Sequence, residues 1–443
     1  MTIKSPAILF VIFFFWLFPP VLTIFGTLVK TNYFFVFLLG ALFLGCFFRN
    51  FRETYLLQDM VYLLLFGFAY VLFFSLLSAL VFSRLDYAFL KDYIAGFFVL
   101  LSAGLIVFSY QSIYRQKMVE KIVFHLFVIG VIHSLILLLV IFFESFRDFL
   151  YSVVWVTDKQ NRYLFGDVMN LRVSGLLASG FSSLSTTHAL MFCLGFIYVS
   201  LIGKKLSLVR LVFYSIFLLI IFSSLIFTGR TGILLLLTFV VLFFLFAFTP
   251  KLIAGKSSKV WIKLLGVLMT LIVVSLSFFD FEKISNEIDS SFEIFINLAE
   301  GEGFSTTSTD VIKNEMLIFP ETGHGLIFGE LNFGRGEERI YSDLGFVYMV
   351  SGVGLIGLLI MWSFYIPIIF GAFNILKQRN LAPVSFFVMF MVLISIPLNF
   401  KDLYFLSLTG FTKILFVFVF VMHVLIVKRR RSQVLSATTS SLN

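Results

Sequence analysis

Charge is what this sequence has least of. Asp, Glu, Lys and Arg make up 13% of its 443 residues, about half the share of an ordinary soluble domain, while hydrophobic residues make up 60%. That balance excludes the two or three soluble domains that the length would otherwise suggest. Cysteine is nearly absent: Cys46 and Cys193 both fall inside apolar runs, so they read as small buried hydrophobes and imply neither a disulfide framework nor a metal cluster. Glycine-rich nucleotide motifs and internal repeats are missing too, which removes the Walker and Rossmann classes. No short alternating pattern of the barrel kind is present. The apolar run from Pro6 to Val29 behind Lys4 is too long for the core of a signal peptide and lacks a small-residue cleavage site, so it reads as a permanent span.

What is present is apolar sequence in lengths that fit a bilayer. The mean hydropathy is +1.05, there are 63 phenylalanines, and runs of about 20 apolar residues recur, as a hydrocarbon core of roughly 30 Å demands of a helix. The expected fold is an all-α polytopic membrane protein with spans near 6–28, 33–48, 60–82, 93–110, 122–143, 173–201, 211–227, 231–249, 261–279, 343–373, 382–399 and 403–427. Twelve spans put both termini on one side. With that side cytoplasmic, the inner segments hold 19 basic residues against three acids and the outer ones 14 against 21. A missed span would scramble this bias, so the count supports the topology. Residues 1–431 then form a single transmembrane helical domain, with extracytoplasmic loops at 144–172 and 280–342 and a disordered cytoplasmic tail at 432–443.

The net charge of +9 is spread between apolar runs and argues for no nucleic-acid partner. Between Phe279 and Asp343 the chain carries 14 of its 24 acids and four basic residues. Within that large loop, which joins spans nine and ten, Phe281, Ile284, Ile288, Phe292 and Phe295 recur at helical steps around Glu282, Asp289 and Glu293. This gives one apolar face, suited to lying on the membrane surface or to packing within the loop. A short helix is expected from Asp310 to Phe319, stopped before Pro320.

Span centres are read as essentially free of Asp, Glu, Arg and Lys, which weighs against an ion-coupled transporter. His125, His133, His188 and His423 read as hydrogen-bonded packing residues. The ionisable groups gather instead at outer span ends: Arg172 in LRVSG, Arg230 in TGRTG, and Arg335, Arg339 and Asp343 before span ten. An arginine fork there suits a phosphate or pyrophosphate, because its paired donors have fixed geometry and permanent charge; a snorkelling interfacial arginine is the competing reading. Glycines at 323, 325, 329, 334 and 336 allow close backbone approach or simply punctuate a loop. His324 between two of them is an acid or base candidate. Arg162 lies in the first outer loop, and Trp155, Tyr163 and Tyr341 at the rim suit either sugar stacking or an interfacial aromatic belt.

The order RVSG at Arg172, TGRTG at Arg230, then PETGHGLIFG followed by YSDLGFVYMVSGVGLIGLL resembles the O-antigen polymerases and their relatives, the O-antigen ligases. The resemblance implies a bacterial inner-membrane glycosyltransferase, similar to the large integral-membrane (GT-C-type) class, that needs no metal or cofactor. Its substrates would be undecaprenyl-pyrophosphate-linked oligosaccharide repeats, joined at the extracytoplasmic face into O-antigen, capsule or exopolysaccharide. It would work among membrane lipids, beside flippase and chain-length regulator proteins. Arg172 and Arg230 would hold the pyrophosphate, with Arg335, Arg339 and Arg162 as further contacts. The ligase-like relatives carry His-Asn where this chain has Ser342-Asp343, so Asp343 or His324 is the expected base; a structural Asp343 paired with Arg339 is the alternative. Competing functions are an O-antigen-type ligase, a polysaccharide or lipid-linked sugar exporter, and a non-catalytic scaffold.

Overall fold

The computed structural model describes residues 2–50, 53–82, 88–158, 173–178, 180–202, 206–247, 266, 293, 296–301, 310–330, 344–378, 381–400, 404 and 407–440. The chain is an all-α polytopic membrane protein: eight helical stretches among the described residues are long and apolar enough to cross a membrane, and two shorter apolar helices accompany them.

The first departure from expectation is at the N-terminus. Helix α1 (Pro6–Leu17) opens on Ser5, whose hydroxyl accepts the Ile8 N–H, and on Pro6, the residue types that favour a helix start. It stops at 12 residues because Pro19 and Pro20 cannot continue it, and the rest of the predicted span 6–28 is a β-hairpin. Strands β1 (Val21–Ile24) and β2 (Thr27–Lys30) pair antiparallel around Phe25-Gly26, both at positive φ (50° and 75°), the conformation a two-residue hairpin turn requires.

Helices α2 (Thr31–Asn50), α3 (Tyr55–Phe82), α4 (Ala88–Tyr114) and α5 (Met118–Phe142) follow. The apolar stretch Leu90–Phe142 runs 53 residues, about 80 Å as a straight helix. A short 3₁₀ turn at Arg115–Lys117, with Arg115 at φ 48°, splits it into α4 and α5. The 2.6 Å bond from Tyr110 to His125, across 15 positions, closes only because the chain doubles back there. Helix α6 (Glu144–Val153) is amphipathic and buries part of one face.

The next spans are α7 (Phe181–Ile202), α8 (Leu208–Ile226) and α9 (Arg230–Ala247). Residues 173–178, expected to open a span, form a turn with Gly175 at φ 59°, and the helix starts only at Phe181. The predicted span 261–279 lies outside the described residues apart from Gly266. So does most of the amphipathic stretch around Glu293, although residues 296–300 are helical. The segment expected as a short helix before Pro320 contains a π turn at Ile312–Met316, and α10 (Gly323–Phe328) follows it.

The predicted span 343–373 is broken twice. Helix α11 (Gly345–Trp362) is interrupted at Gly354, with φ 71° and ψ −178°. Phe346 and Trp362 nevertheless bring their ring centroids to 6.3 Å, although 16 residues of straight helix would hold them about 24 Å apart. The two halves therefore bend toward each other, and α12 (Tyr365–Leu376) carries the chain onward. Helix α13 (Ala382–Asn399) matches its predicted span. Helix α14 (Gly410–Ser440) starts seven residues later than expected and stays helical to Ser440, where the sequence predicts a disordered tail from 432.

Bonds between elements gather the loops at two ends. At one, Arg431 pairs with Glu53 at 3.2 Å, Lys428 reaches the Arg115 carbonyl and Arg429 the Asn374 carbonyl; this is the collar end. At the other, the hairpin end, Leu22 bridges Val154 and Thr186 bonds Tyr404 at 3.0 Å. Helices α7 and α14 run through the middle, with residues 184–199 and 411–424 buried on all sides.

Candidate functional site

The hairpin end is where the polar groups of the bundle concentrate, and α7 supplies the base of it. Its first turns read FSSLSTTH, an unusual polar run for a central span, and Ser185, Thr186, Thr187 and His188 are all buried. The Ser185 hydroxyl donates to the Gly229 carbonyl at 2.5 Å and accepts the Gly232 N–H at 2.8 Å. One side chain thereby clamps the TGRTG loop, where Gly229 sits at φ 139° and a Cβ on Gly232 would collide with Ser185.

Arg230 is the first residue of α9. Its guanidinium pairs with Glu293 of the large loop, the two side chains being 15% and 21% exposed. The large loop thus returns to the bundle at the arginine turn. A carboxylate already occupies the guanidinium, so an incoming phosphate would exchange with Glu293 rather than enter an empty seat.

The turn at 173–178, which follows Arg172, is tied to the same place. The Val173 N–H donates to the Phe227 carbonyl at 3.2 Å, three residues before Arg230, and the Thr157 N–H donates to the Ala178 carbonyl at 2.9 Å. On its other border stands α6, whose inward face presents Phe146, Arg147, Leu150 and Tyr151. Burial pushes the Tyr151 phenol up to about 12, against the pull of Ser174, the Gly175 backbone and Arg147.

Under the turn lies a histidine pair. The Leu176 N–H donates to His133 Nε2 at 3.4 Å, His133 Nδ1 meets His188 Nε2 at 2.8 Å, and His188 Nδ1 meets the Ser224 hydroxyl at 2.8 Å. Ser224 in turn donates to the Ile221 carbonyl. Because Leu176 can only donate, the protons order themselves as His133 Nδ1–H to His188 and His188 Nδ1–H to Ser224, with both rings neutral. Phe18 stacks on His133 at 3.8 Å. The pair reads as a satisfied support for the turn, and His125 and His423 are likewise bonded, to Tyr110 and Thr54.

The sequence reading of span centres as free of lysine fails at Lys413. It lies in the first turn of α14, is fully buried, and donates to the Trp16 carbonyl at 2.5 Å and to Asn32 Oδ1 at 3.0 Å. Helix α1 ends with unsatisfied carbonyls inside the bundle, and the Lys413 Nζ supplies a donor to one of them.

Of the arginines, rim aromatics and base candidates singled out from sequence, Arg230, Trp155 and His324 are described. Arg230 is at the hairpin end as stated. Trp155 is half-buried on the hairpin, its backbone N–H donating to the Val21 carbonyl at 2.7 Å. His324 is exposed in the first turn of α10, capped by Thr322. Its helix packs on α11, whereas the arginine loop packs on α7, so different elements hold the two. Arg162, Arg172, Arg335, Arg339, Tyr341 and Asp343 lie outside the described residues. Arg147 and Tyr151 belong to the outer loop 144–172 read from sequence, where they were given no role, and Ser185 and Lys413 were not picked out; the signals were a polar run in an apolar helix and a lysine ten residues into an expected span.

Gly329 explains one of the loop glycines. It and Gly354 both have positive φ (86° and 71°), and a Cβ on Gly354 would strike the Ile327 carbonyl. With Glu330 N–H donating to the Ser351 carbonyl at 2.8 Å, the loop backbone lies directly on the break in α11. Among the described residues no group of three or more His, Cys, Asp or Glu gathers as a metal site would. Comparison with protein-family models, with curated proteins and with solved structures found no match to this chain.

Proposed function

We propose that the chain is a membrane glycosyltransferase that extends glycans carried on undecaprenyl pyrophosphate, with its hairpin end toward the extracytoplasmic face of a bacterial inner membrane. In this reading it has twelve spans, cytoplasmic termini and an arrangement like the GT-C-type membrane enzymes. The observation that carries the reading is the joining of two arginine motifs: the turn after Arg172 bonds to the loop of Arg230 through Val173 and Phe227, and Arg230 is held there mostly buried on a carboxylate. A guanidinium so placed binds an anion through paired, charge-assisted bonds, stronger away from bulk water than at an open surface.

The acceptor hydroxyl attacks the anomeric carbon of the donor and its proton passes to a base, Asp343 or His324. The bond from that carbon to the pyrophosphate oxygen breaks, and the leaving group departs with the electron pair onto Arg230 and Arg172. No sugar nucleotide is needed, because the pyrophosphate is already a good leaving group.

The test is complementation in cells deleted for the chain. Lipid-linked repeats are expected to accumulate unpolymerised, to be extended when the wild-type chain is restored, and to remain single with Arg230→Ala present at the wild-type level. Full-rate extension by Arg230→Ala would end this reading.

A further inference from the structure

We infer that the collar end carries a site for the phosphate headgroup of an anionic phospholipid, formed by Arg115 and Lys117 of the 3₁₀ turn between α4 and α5 together with Lys428 of α14. The site lies at the opposite end of the bundle from the arginine mouth, so it stands whether or not that mouth binds a pyrophosphate.

Charge at this place is pinned without being neutralised. Lys428 Nζ donates to Gln111 Oε1 at 3.0 Å and to the Arg115 carbonyl at 3.3 Å. Both acceptors are uncharged, and of the three donors of an ammonium the last has no partner among the described residues. Arg115 and Lys117 are exposed, and their side chains form no hydrogen bond or ion pair among the described residues. The acids of this end are engaged elsewhere or stand apart. Glu53 takes Arg431 at 3.2 Å, Glu120 lies near Tyr198 and Arg210, and Asp59 on α3 pairs with no cation among the described residues. A cation that merely snorkels keeps its rotamer freedom and its water. Lys428 has given up that freedom to neutral partners and still carries its whole charge. Two tyrosines mark the depth: the Arg430 guanidinium lies 5.6 Å from the centre of the Tyr55 ring, and the Lys121 ammonium 6.0 Å from that of Tyr114, the neighbour of Arg115. Tyrosines of a membrane protein gather at headgroup level, so the three cations meet a phosphodiester that is already held in the leaflet, and juxtamembrane cations are attracted to anionic headgroups there.

The experiment follows the thermal midpoint of the detergent-purified full chain during titration with dihexanoyl phosphatidylglycerol, with dihexanoyl phosphatidylcholine and inorganic phosphate as parallel arms. Phosphatidylglycerol is expected to raise the midpoint to saturation, and the other two to leave it unchanged at the same concentrations. The half-saturating concentration should rise about fivefold in Lys428→Gln and about 25-fold in Arg115→Gln/Lys117→Gln, as attraction at the headgroup layer scales with the number of cations. The side chains of Arg115 and Lys117 bond nothing, so the double variant keeps the fold and decides alone if Lys428→Gln does not purify. Lys30→Gln, at the hairpin end, should titrate like wild type. No rise with phosphatidylglycerol, an equal rise with phosphatidylcholine or with phosphate, a wild-type titration by the double variant, or equal weakening in Lys30→Gln would each overturn the site.

Discussion

A single hydroxyl, that of Ser185, holds the loop that presents Arg230. It satisfies the buried Gly232 N–H at the start of α9 and binds the Gly229 carbonyl. Removing it leaves a buried donor and acceptor unpaired, at a cost of about 1–3 kcal/mol. Ser185→Ala is therefore expected to lower the thermal midpoint in detergent and to weaken pyrophosphate binding at Arg230, whereas Ser152→Ala, on exposed α6 surface, should change neither. Equal midpoints for Ser185→Ala and wild type would refute the clamp. Lys413 makes the companion point. A charge in a membrane segment costs several kcal/mol unless it finds polar partners, and this one is retained because α1 ends where its carbonyls need a donor.

At the level of elements, two helical glycines stand at opposite extremes. Gly354 breaks α11 with a positive φ and touches the backbone of the 323–330 segment; Gly45, inside α2, has nothing within 4 Å of where a Cβ would stand. Alanine favours helix over glycine by about 1 kcal/mol in the absence of a clash, so Gly45→Ala should leave stability unchanged or raise it. Gly354→Ala must relieve both a left-handed backbone strain of about 1–2 kcal/mol and the collision with Ile327, and should destabilise. Equivalent midpoint shifts for the two variants would show that the α10–α11 contact is not a constraint. The same backbone contact explains why span ten could not be read as one rod: glycine at 329 and 354 signals that a close approach is allowed, not what approaches.

At the scale of the molecule, bonds among the described residues sort element ends into two opposed groups, one fastened by Arg429, Arg430 and Arg431 and the other by the hairpin and the polar turns of α7. In the proposed orientation, the cytoplasmic excess of Lys and Arg puts the collar end inside. With Cys46 and Cys193 replaced, a membrane-impermeant thiol reagent on intact spheroplasts should label Phe25→Cys at the exposed hairpin tip and spare Ser432→Cys on the exposed tail of α14. Labelling of Ser432→Cys alone would place the arginine mouth in the cytoplasm and remove the extracytoplasmic reaction.

The amino-acid order alone determined the membrane class and most helix positions, because burial in hydrocarbon is a local requirement: each span must be apolar and long enough by itself. It placed α13 to the residue and α2, α3, α4, α5, α8 and α9 close to their observed bounds. It could not settle where α1 ends, that α11 folds at Gly354, or that Lys413 is buried, since those depend on which carbonyl, backbone or ring arrives from a distant segment. The arrangement of the mouth belongs to the same category. Ser185 and the turn at Val173 reach the loop of Arg230 only through bonds spanning tens of residues, and only the tertiary structure decided that they border it.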